Sequence, residues 1–234
     1  DRHEPLYGEI SGNAREIFVK DFIYKTEPYD HQRKAFEASA GINSYALLMD
    51  MGTGKTKVAL DTVASCFESK RINFALIVAP KGVIANWIGE IDTHLPDRVE
   101  REVLLWKPNL TKARRKELND LYTDTGKLKL LLMNIEAFSS KKGVSVAELF
   151  VKKFKVFMAV DESTTIKNRQ AKRTKSVCSV GRDAVMRRIL TGSPVTKSPM
   201  DLYSQMEFLD PSILGFRSYY AFQGRYAVVQ RRSM

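Results

Sequence analysis

Cysteine is nearly absent: Cys66 and Cys178 are the only two in 234 residues, and they form neither a disulfide framework nor a metal-ligand spacing. That usage fits a reducing compartment. Histidine is equally scarce. His3, His31 and His94 stand isolated, so no zinc site is expected. No apolar run reaches the ~20 residues that cross a bilayer. No signal peptide opens the chain, so a membrane partner is not expected either. Eight prolines and thirteen glycines leave little room for long disordered segments, and no internal repeat or low-complexity linker is visible. Acidic residues are in the minority, 27 against 38 Lys plus Arg, for a net charge of +11.

What is present is a hydrophobic content of 44%, enough to build one large α/β domain or two small ones. The positive excess is not spread evenly. Between Lys141 and Lys175 there are ten basic residues and three acids, and from Leu214 to Met234 four arginines and no acid. A polyanionic partner is expected, with nucleic acid ahead of acidic lipid because no long basic amphipathic helix appears.

One stretch organises the rest. Tyr45 to Met49 is a short apolar run, Gly52-Thr53-Gly54-Lys55-Thr56 a tight loop, and Lys57 to Phe67 a helix-compatible segment. Strand, glycine loop and helix are the context of a phosphate-binding P-loop. Glycines let backbone N–H groups turn toward phosphate oxygens, and the helix N-terminus adds positive potential. In that chemistry Met51 to Gly54 cradle the phosphates, Lys55 reaches the β- and γ-phosphates, and Thr56 ligates Mg²⁺. Met49 occupies the position where the full pattern has its first glycine.

Around this unit, Asp30 is expected to cap a helix running to about Ala40, after an N-terminal arm of residues 1–27 with a short strand at Glu16 to Lys20. Phe74 to Ala79, Val103 to Trp106, Lys129 to Asn134, Val156 to Val160 and Arg188 to Thr191 read as strands. Gly82 to Leu95, Lys112 to Tyr122, Val146 to Val151, Asn168 to Gly181 and Met200 to Leu209 read as helices. Val83, Trp87 and Ile91 are spaced to share one buried face, so Trp87 reads as core. The alternation argues an α/β fold with a mostly parallel, doubly wound central sheet. Ligands of such sheets sit at the carboxyl ends of the strands. Asp161-Glu162 follow an apolar strand there, so Asp161 is a candidate Mg²⁺ ligand and Glu162 a candidate to position or deprotonate the attacking water.

Taken together, these motifs resemble the first RecA-like lobe of a superfamily 2 helicase, and are most similar to Swi/Snf-type DNA translocases. Tyr29-Asp30-His31-Gln32 resembles the adenine-reading Gln motif, and Leu76 to Pro80 with Asn86-Trp87 resembles motif Ia. Asn134 to Phe138 resembles the segment that follows, and Asp161 to Asn168 the extended Asp-Glu-Ala-His box. Leu190-Thr191-Gly192-Ser193-Pro194 resembles motif III. The resemblance covers residues 28–226 and implies a RecA-like three-layer sandwich over 28–211, with a basic aromatic tail at 212–234.

It further implies that Gln32 reads the adenine of ATP, that Thr191, Gly192 and Ser193 relay between hydrolysis and nucleic acid, and that Lys81 and Asn134 touch DNA phosphates. Lys167, with the other basic residues of 167–175, belongs either to that DNA track or to a solvated helix face. Ser163 and Thr164 replace the family's Ala-His. The missing His normally helps join motif II to motif III, and the Thr164 hydroxyl is the expected substitute.

ATP and Mg²⁺ are therefore the expected cofactors, and DNA the expected partner, duplex before RNA. Such motors work with a second RecA-like lobe, for which the residues after 211 leave no room. The expectation is one lobe of a longer chain, intracellular, in the cytoplasm of a prokaryotic or viral system or in a nucleus. Two other classes fit less of the sequence. A P-loop kinase or metabolic ATPase leaves the Gln motif and the basic second half unexplained. A non-catalytic nucleic-acid-binding module leaves intact Lys55, Thr56, Asp161 and Glu162 unexplained.

Overall fold

The structure is a computed structural model that describes residues 21–109 and 111–227; the strand expected at Glu16 to Lys20 lies outside these. In chain order the strands are β1 (Ser44–Leu48), β2 (Phe74–Ala79), β3 (Arg101–Leu105), β4 (Leu128–Asn134), β5 (Val156–Asp161) and β6 (Met186–Thr191). The helices are α1 (Asp30–Ser39), α2 (Lys55–Glu68), α3 (Lys81–His94), α4 (Lys112–Leu121), α5 (Lys141–Lys153), α6 (Lys172–Gly181), α7 (Asp201–Leu209) and α8 (Tyr219–Tyr226). Single 3₁₀ turns follow β4 (Ile135–Ser139) and β5 (Ser163–Ile166).

All six strands run parallel, in the order β1-β6-β5-β2-β4-β3. Strand β2 explains why. Its six residues are all buried, the signature of a strand covered on both faces. Phe74, Leu76 and Val78 point into the layer of α5, α6 and α7 with Phe138, Phe150 and Phe208. Ala75, Ile77 and Ala79 point the other way, to Phe36, Leu60, Trp87 and Ile91 of α1, α2 and α3. Helices therefore cover both faces, as a doubly wound sheet requires. No helix among the described residues is long and apolar enough to cross a membrane.

Element ends differ from expectation for local reasons. Helix α1 begins at Asp30 itself, with Tyr29 at the cap position. Gln32 Oε1 accepts from Tyr29 N at 3.0 Å, the bond a residue in the first helical turn returns to the cap position, so Asp30 is the first helical residue and not the cap. Helix α6 starts at Lys172, not Asn168, because the Asn168 side chain accepts from Gln170 N at 3.0 Å and holds 168–171 in a turn. Helix α5 is longer than expected, because the Ser140 hydroxyl caps it by accepting from Gly143 N at 3.1 Å. The first part of the tail folds back: Phe222 is buried, Tyr203 of α7 meets the Tyr219 ring edge-on at 5.1 Å, and the Arg169 guanidinium lies 4.0 Å over Tyr219.

Arg188 of β6 holds the end of α1. It is fully buried, and its guanidinium donates to the carbonyls of Ser39 and Ile42, each at 2.7 Å, and of Asn43 at 3.1 Å. A cation at a helix C-terminus is favourable. Burial nevertheless pulls Arg188 down to about 10. The helix that carries Gln32 is thereby pinned to the central sheet.

Candidate functional site

Three parallel strands end side by side. The register pairs Leu48 of β1 with Thr191 of β6, and Leu190 of β6 with Asp161 of β5. The P-loop, the Thr191 turn and the Asp161-Glu162 pair thus emerge from adjacent strand ends, the outer two about 10 Å apart at the usual inter-strand spacing.

The P-loop is a ring of internal bonds. Thr53 Oγ1 donates to Asp50 O at 2.7 Å, and Lys55 Nζ donates to Met49 O at 2.9 Å and Asp50 O at 3.0 Å. Gly54 has φ +86°, a left-handed conformation that favours glycine. A Cβ on Gly54 would lie 2.2 Å from Gln32 Nε2, so Gln32 can reach the loop only because residue 54 lacks a side chain. Met49 packs against the apolar cluster of α1, α2 and α3, which explains its place in a position that otherwise carries glycine.

Gln32 is buried, and its Nε2 donates to Thr53 O at 3.1 Å. One amide proton of Gln32 is thereby used. His31 Nε2 lies 2.9 Å from the same carbonyl, and the Tyr29 ring stacks on His31 at 5.9 Å. Tyr29 is 71% exposed, so it presents an open aromatic face beside the loop. Sequence reasoning gave Gln32 a site role but quoted Tyr29 and His31 only as part of its motif; their place three residues and one residue before that glutamine was the available signal.

Asp161 is buried, and burial raises its carboxyl above the usual carboxylate range. Trp87 Nε1 donates to Oδ2 at 2.9 Å and Glu162 N donates to Oδ1 at 2.9 Å; with the Lys55 charge these pull the other way. Trp87 is core, as expected, but its indole N–H also makes it a partner of the site. Its buried companions are Ile84 and Ile91, not Val83, which is only partly buried and lines the cleft. Glu162 takes φ +46° and ψ +58°. Left-handed backbone costs a non-glycine residue roughly 1 kcal/mol and clusters where function demands it.

These groups line two adjoining clefts. One, of about 270 Å³, is bounded by Gly52, Gly54, Lys55, Thr56, Asn86, Trp87, Asp161 and Glu162. The other, of about 170 Å³, is bounded by Asp50, Met51, Lys55, Glu162, Thr164, Thr191, Gly192 and Ser193. Lys55 and Glu162 belong to both. Gly192 presses on the P-loop, where a Cβ would lie 3.3 Å from Met51 N. Ser193 N donates to Thr191 Oγ1 at 3.2 Å. The hydroxyl of Thr56 and the carboxylate of Asp161 form an all-oxygen set that suits Mg²⁺, which takes few ligands from protein and keeps waters and phosphate oxygens. No group of three or more His, Cys, Asp or Glu able to hold a metal occurs among the described residues.

The expected nucleic-acid residues divide. Lys81 is exposed at the start of α3. Asn134 is paired in register with Ala79, so both lie at neighbouring strand ends, and the Asn134 Oδ1 is buried with no partner. Lys167 is half-buried: its Nζ donates to Thr196 Oγ1 and lies 4.0 Å from Asp201 Oδ2. Thr164, expected to bond toward motif III, borders a cleft with Thr191, Gly192 and Ser193, while its neighbour Ser163 donates through Oγ to Gln205 Oε1 at 2.5 Å.

Residues 33–228 match the SNF2-related domain. Among curated relatives, the chain is 31% identical over 166 residues to a probable ATP-dependent DNA helicase, CHR12 of Arabidopsis thaliana, covering 70% of this chain and 14% of that protein. It is 28% identical over 177 residues to the chromatin-remodeling ATPase INO80 of Saccharomyces cerevisiae, covering 74% of this chain and 11% of that one. Its fold matches the Sulfolobus solfataricus SWI2/SNF2 ATPase core in complex with dsDNA, with a TM-score of 0.67, 24% identity, and coverage of 88% of this chain and 40% of that chain. The chain thus spans a small part of its relatives' length, and it belongs to the SNF2-related domain family.

Proposed function

We propose that this chain is the ATP-binding first motor lobe of an ATP-dependent translocase on double-stranded DNA, working with a second RecA-like lobe in the same longer protein. The observation that carries the reading is the convergence of Lys55, Thr56, Asp161 and Glu162 on one cleft, under a P-loop to which Gln32 is bonded. Lys55 and the α2 N-terminus bind the phosphates. Thr56 and Asp161 would hold Mg²⁺, whose charge offsets that on the β- and γ-oxygens. Glu162 orients the water that attacks the γ-phosphorus and accepts its proton. Met51 to Gly54 shape the phosphate cradle, and Gln32, with Tyr29 and His31 beside it, selects adenine. Thr191, Gly192 and Ser193 line one cleft with Met51, Lys55 and Glu162, which suits a relay. Lys81 and Asn134 would meet DNA phosphates. Such a motor acts inside the cell, in cytoplasm or nucleus.

The test is ATP turnover by the complete two-lobed protein with and without duplex DNA, beside a Lys55→Ala control. Stimulation by duplex that Lys55→Ala abolishes supports the reading. Equal rates with and without DNA favour a metabolic P-loop enzyme, no turnover favours a binding module, and stimulation by RNA alone reassigns the partner.

A further inference from the structure

Motif II departs from the family at the two residues after Glu162, and the structure shows what Ser163 does there. Ser163 is fully buried, and its Oγ donates to Oε1 of Gln205 in α7 at 2.5 Å. Gln205 is also fully buried. Its Nε2 donates to Pro194 O and to Asp201 O, each at 2.7 Å. Pro194 is the residue that leaves the Thr191-Gly192-Ser193 turn. Asp201 closes the other side: its Oδ2 accepts from Thr196 N at 2.9 Å, Thr196 Oγ1 at 2.8 Å and Lys197 N at 2.8 Å. These bonds hold the Asp201 carboxyl down at about 2, despite partial desolvation.

We infer that the Ser163–Gln205 pair is the joint between the hydrolytic motif and motif III in this chain, so that Ser163 and Gln205 are positioning residues coupling nucleotide state to the Thr191-Gly192-Ser193 turn. Ser163 is bonded to the residue that carries both carbonyl contacts, and it follows the strained Glu162 directly. A change in Glu162 on hydrolysis must therefore either move Gln205 and Pro194 with it or break a buried hydrogen bond. A buried amide left without its partner is costly, which makes the joint two-state rather than elastic. Thr164 only borders the neighbouring cleft. The inference rests on the motor reading above.

Two variants of the complete protein test it: Ser163→Ala, and Ser163→Ala combined with Gln205→Leu. The double variant removes both partners of the Ser163–Gln205 bond and leaves no stranded side-chain polar atom there. It also takes the Nε2 donor from the Pro194 and Asp201 carbonyls, so melting curves are recorded beside the turnover to show that each variant is folded. The readout is the ratio of duplex-stimulated to basal ATP turnover, together with KM for ATP. Both variants should lose about tenfold in that ratio, the size of a typical coupling between two sites, with KM for ATP changed little. The double should be no worse than the single, because one joint can be broken only once. Folded variants that keep the parent's ratio overturn the inference, as does a double variant whose loss is the product of independent losses. A parent protein that DNA does not stimulate overturns the motor reading instead.

Discussion

Trp87 Nε1 donates to Asp161 Oδ2 at 2.9 Å, so a core residue of α3 fixes the acid at the end of β5. To hold the proposed Mg²⁺ Asp161 must be ionised, and burial works against that. The indole bond is one of the contacts that favour the ionised form.

Trp87→Phe should therefore shift the acid limb of the pH–rate profile. Asp161 already sits above the usual carboxylate range, and removing a bond to the charged form raises it further. Turnover falls as pH drops through that value, so the limb should move to higher pH, and more Mg²⁺ should be needed at neutral pH. Thermal melting separates this from the stability cost of a smaller core side chain, roughly 1–3 kcal/mol. An unmoved limb in a folded variant would show that the indole bond does not tune Asp161.

Gly54→Ala should cost both stability and nucleotide affinity. The left-handed backbone at Gly54 penalises any side chain, and the new Cβ would drive Gln32 off Thr53 O. Together these should cost about 2 kcal/mol. Pairing it with Gln32→Ala removes the clash but not the backbone strain, so the double should recover part of the stability and none of the preference for ATP over GTP. Melting curves and competition binding read the two effects separately.

Much of this was legible in the sequence. The continuous apolar strands fixed a parallel sheet because two-sided burial leaves no alternation to misread. The P-loop and the Asp-Glu pair announced themselves by residue type. The bonds that cross between elements were not legible. Gln205 sits four residues into an ordinary helix pattern, and Trp87 shows the spacing of a core residue, which it also is. Sequence periodicity reports which face a residue occupies, and a polar atom on a buried face finds its partner only in three dimensions. The same limit applies to Lys167, whose charge suggested DNA and whose Nζ also meets Thr196 and Asp201.

That contrast yields a prediction about DNA. Lys81→Ala should weaken duplex binding of the complete protein and reduce the slope of log affinity against log salt by about 1, as the loss of one phosphate contact does. Lys167→Ala should leave that slope unchanged and lower instead the stimulation of ATP turnover, because its partners belong to the motif III side. Equal slope changes in the two variants would place Lys167 on the DNA.

The P-loop helix carries a buried ion pair whose pH dependence can be worked out. Lys57 Nζ lies 2.8 Å from Asp61 Oδ2, with side chains 4% and 1% exposed, and Asp61 Oδ1 has no partner. Burial raises Asp61 to about 6 in spite of the Lys57 bond. The folded state therefore keeps a proton that the unfolded chain has released above its ordinary value of 3.8. The associated stability is present below that value and is lost as pH rises through about 6. Replacing the pair by Lys57→Met with Asp61→Leu removes this dependence, so the double should gain on the parent by up to about 3 kcal/mol between pH 4 and pH 7. Asp61→Leu alone strands the Lys57 charge and should lose about 3–5 kcal/mol at pH 7. Urea midpoints across that range decide it: a parent-to-double difference that stays constant with pH would mean that Asp61 titrates alike in the folded and unfolded chains.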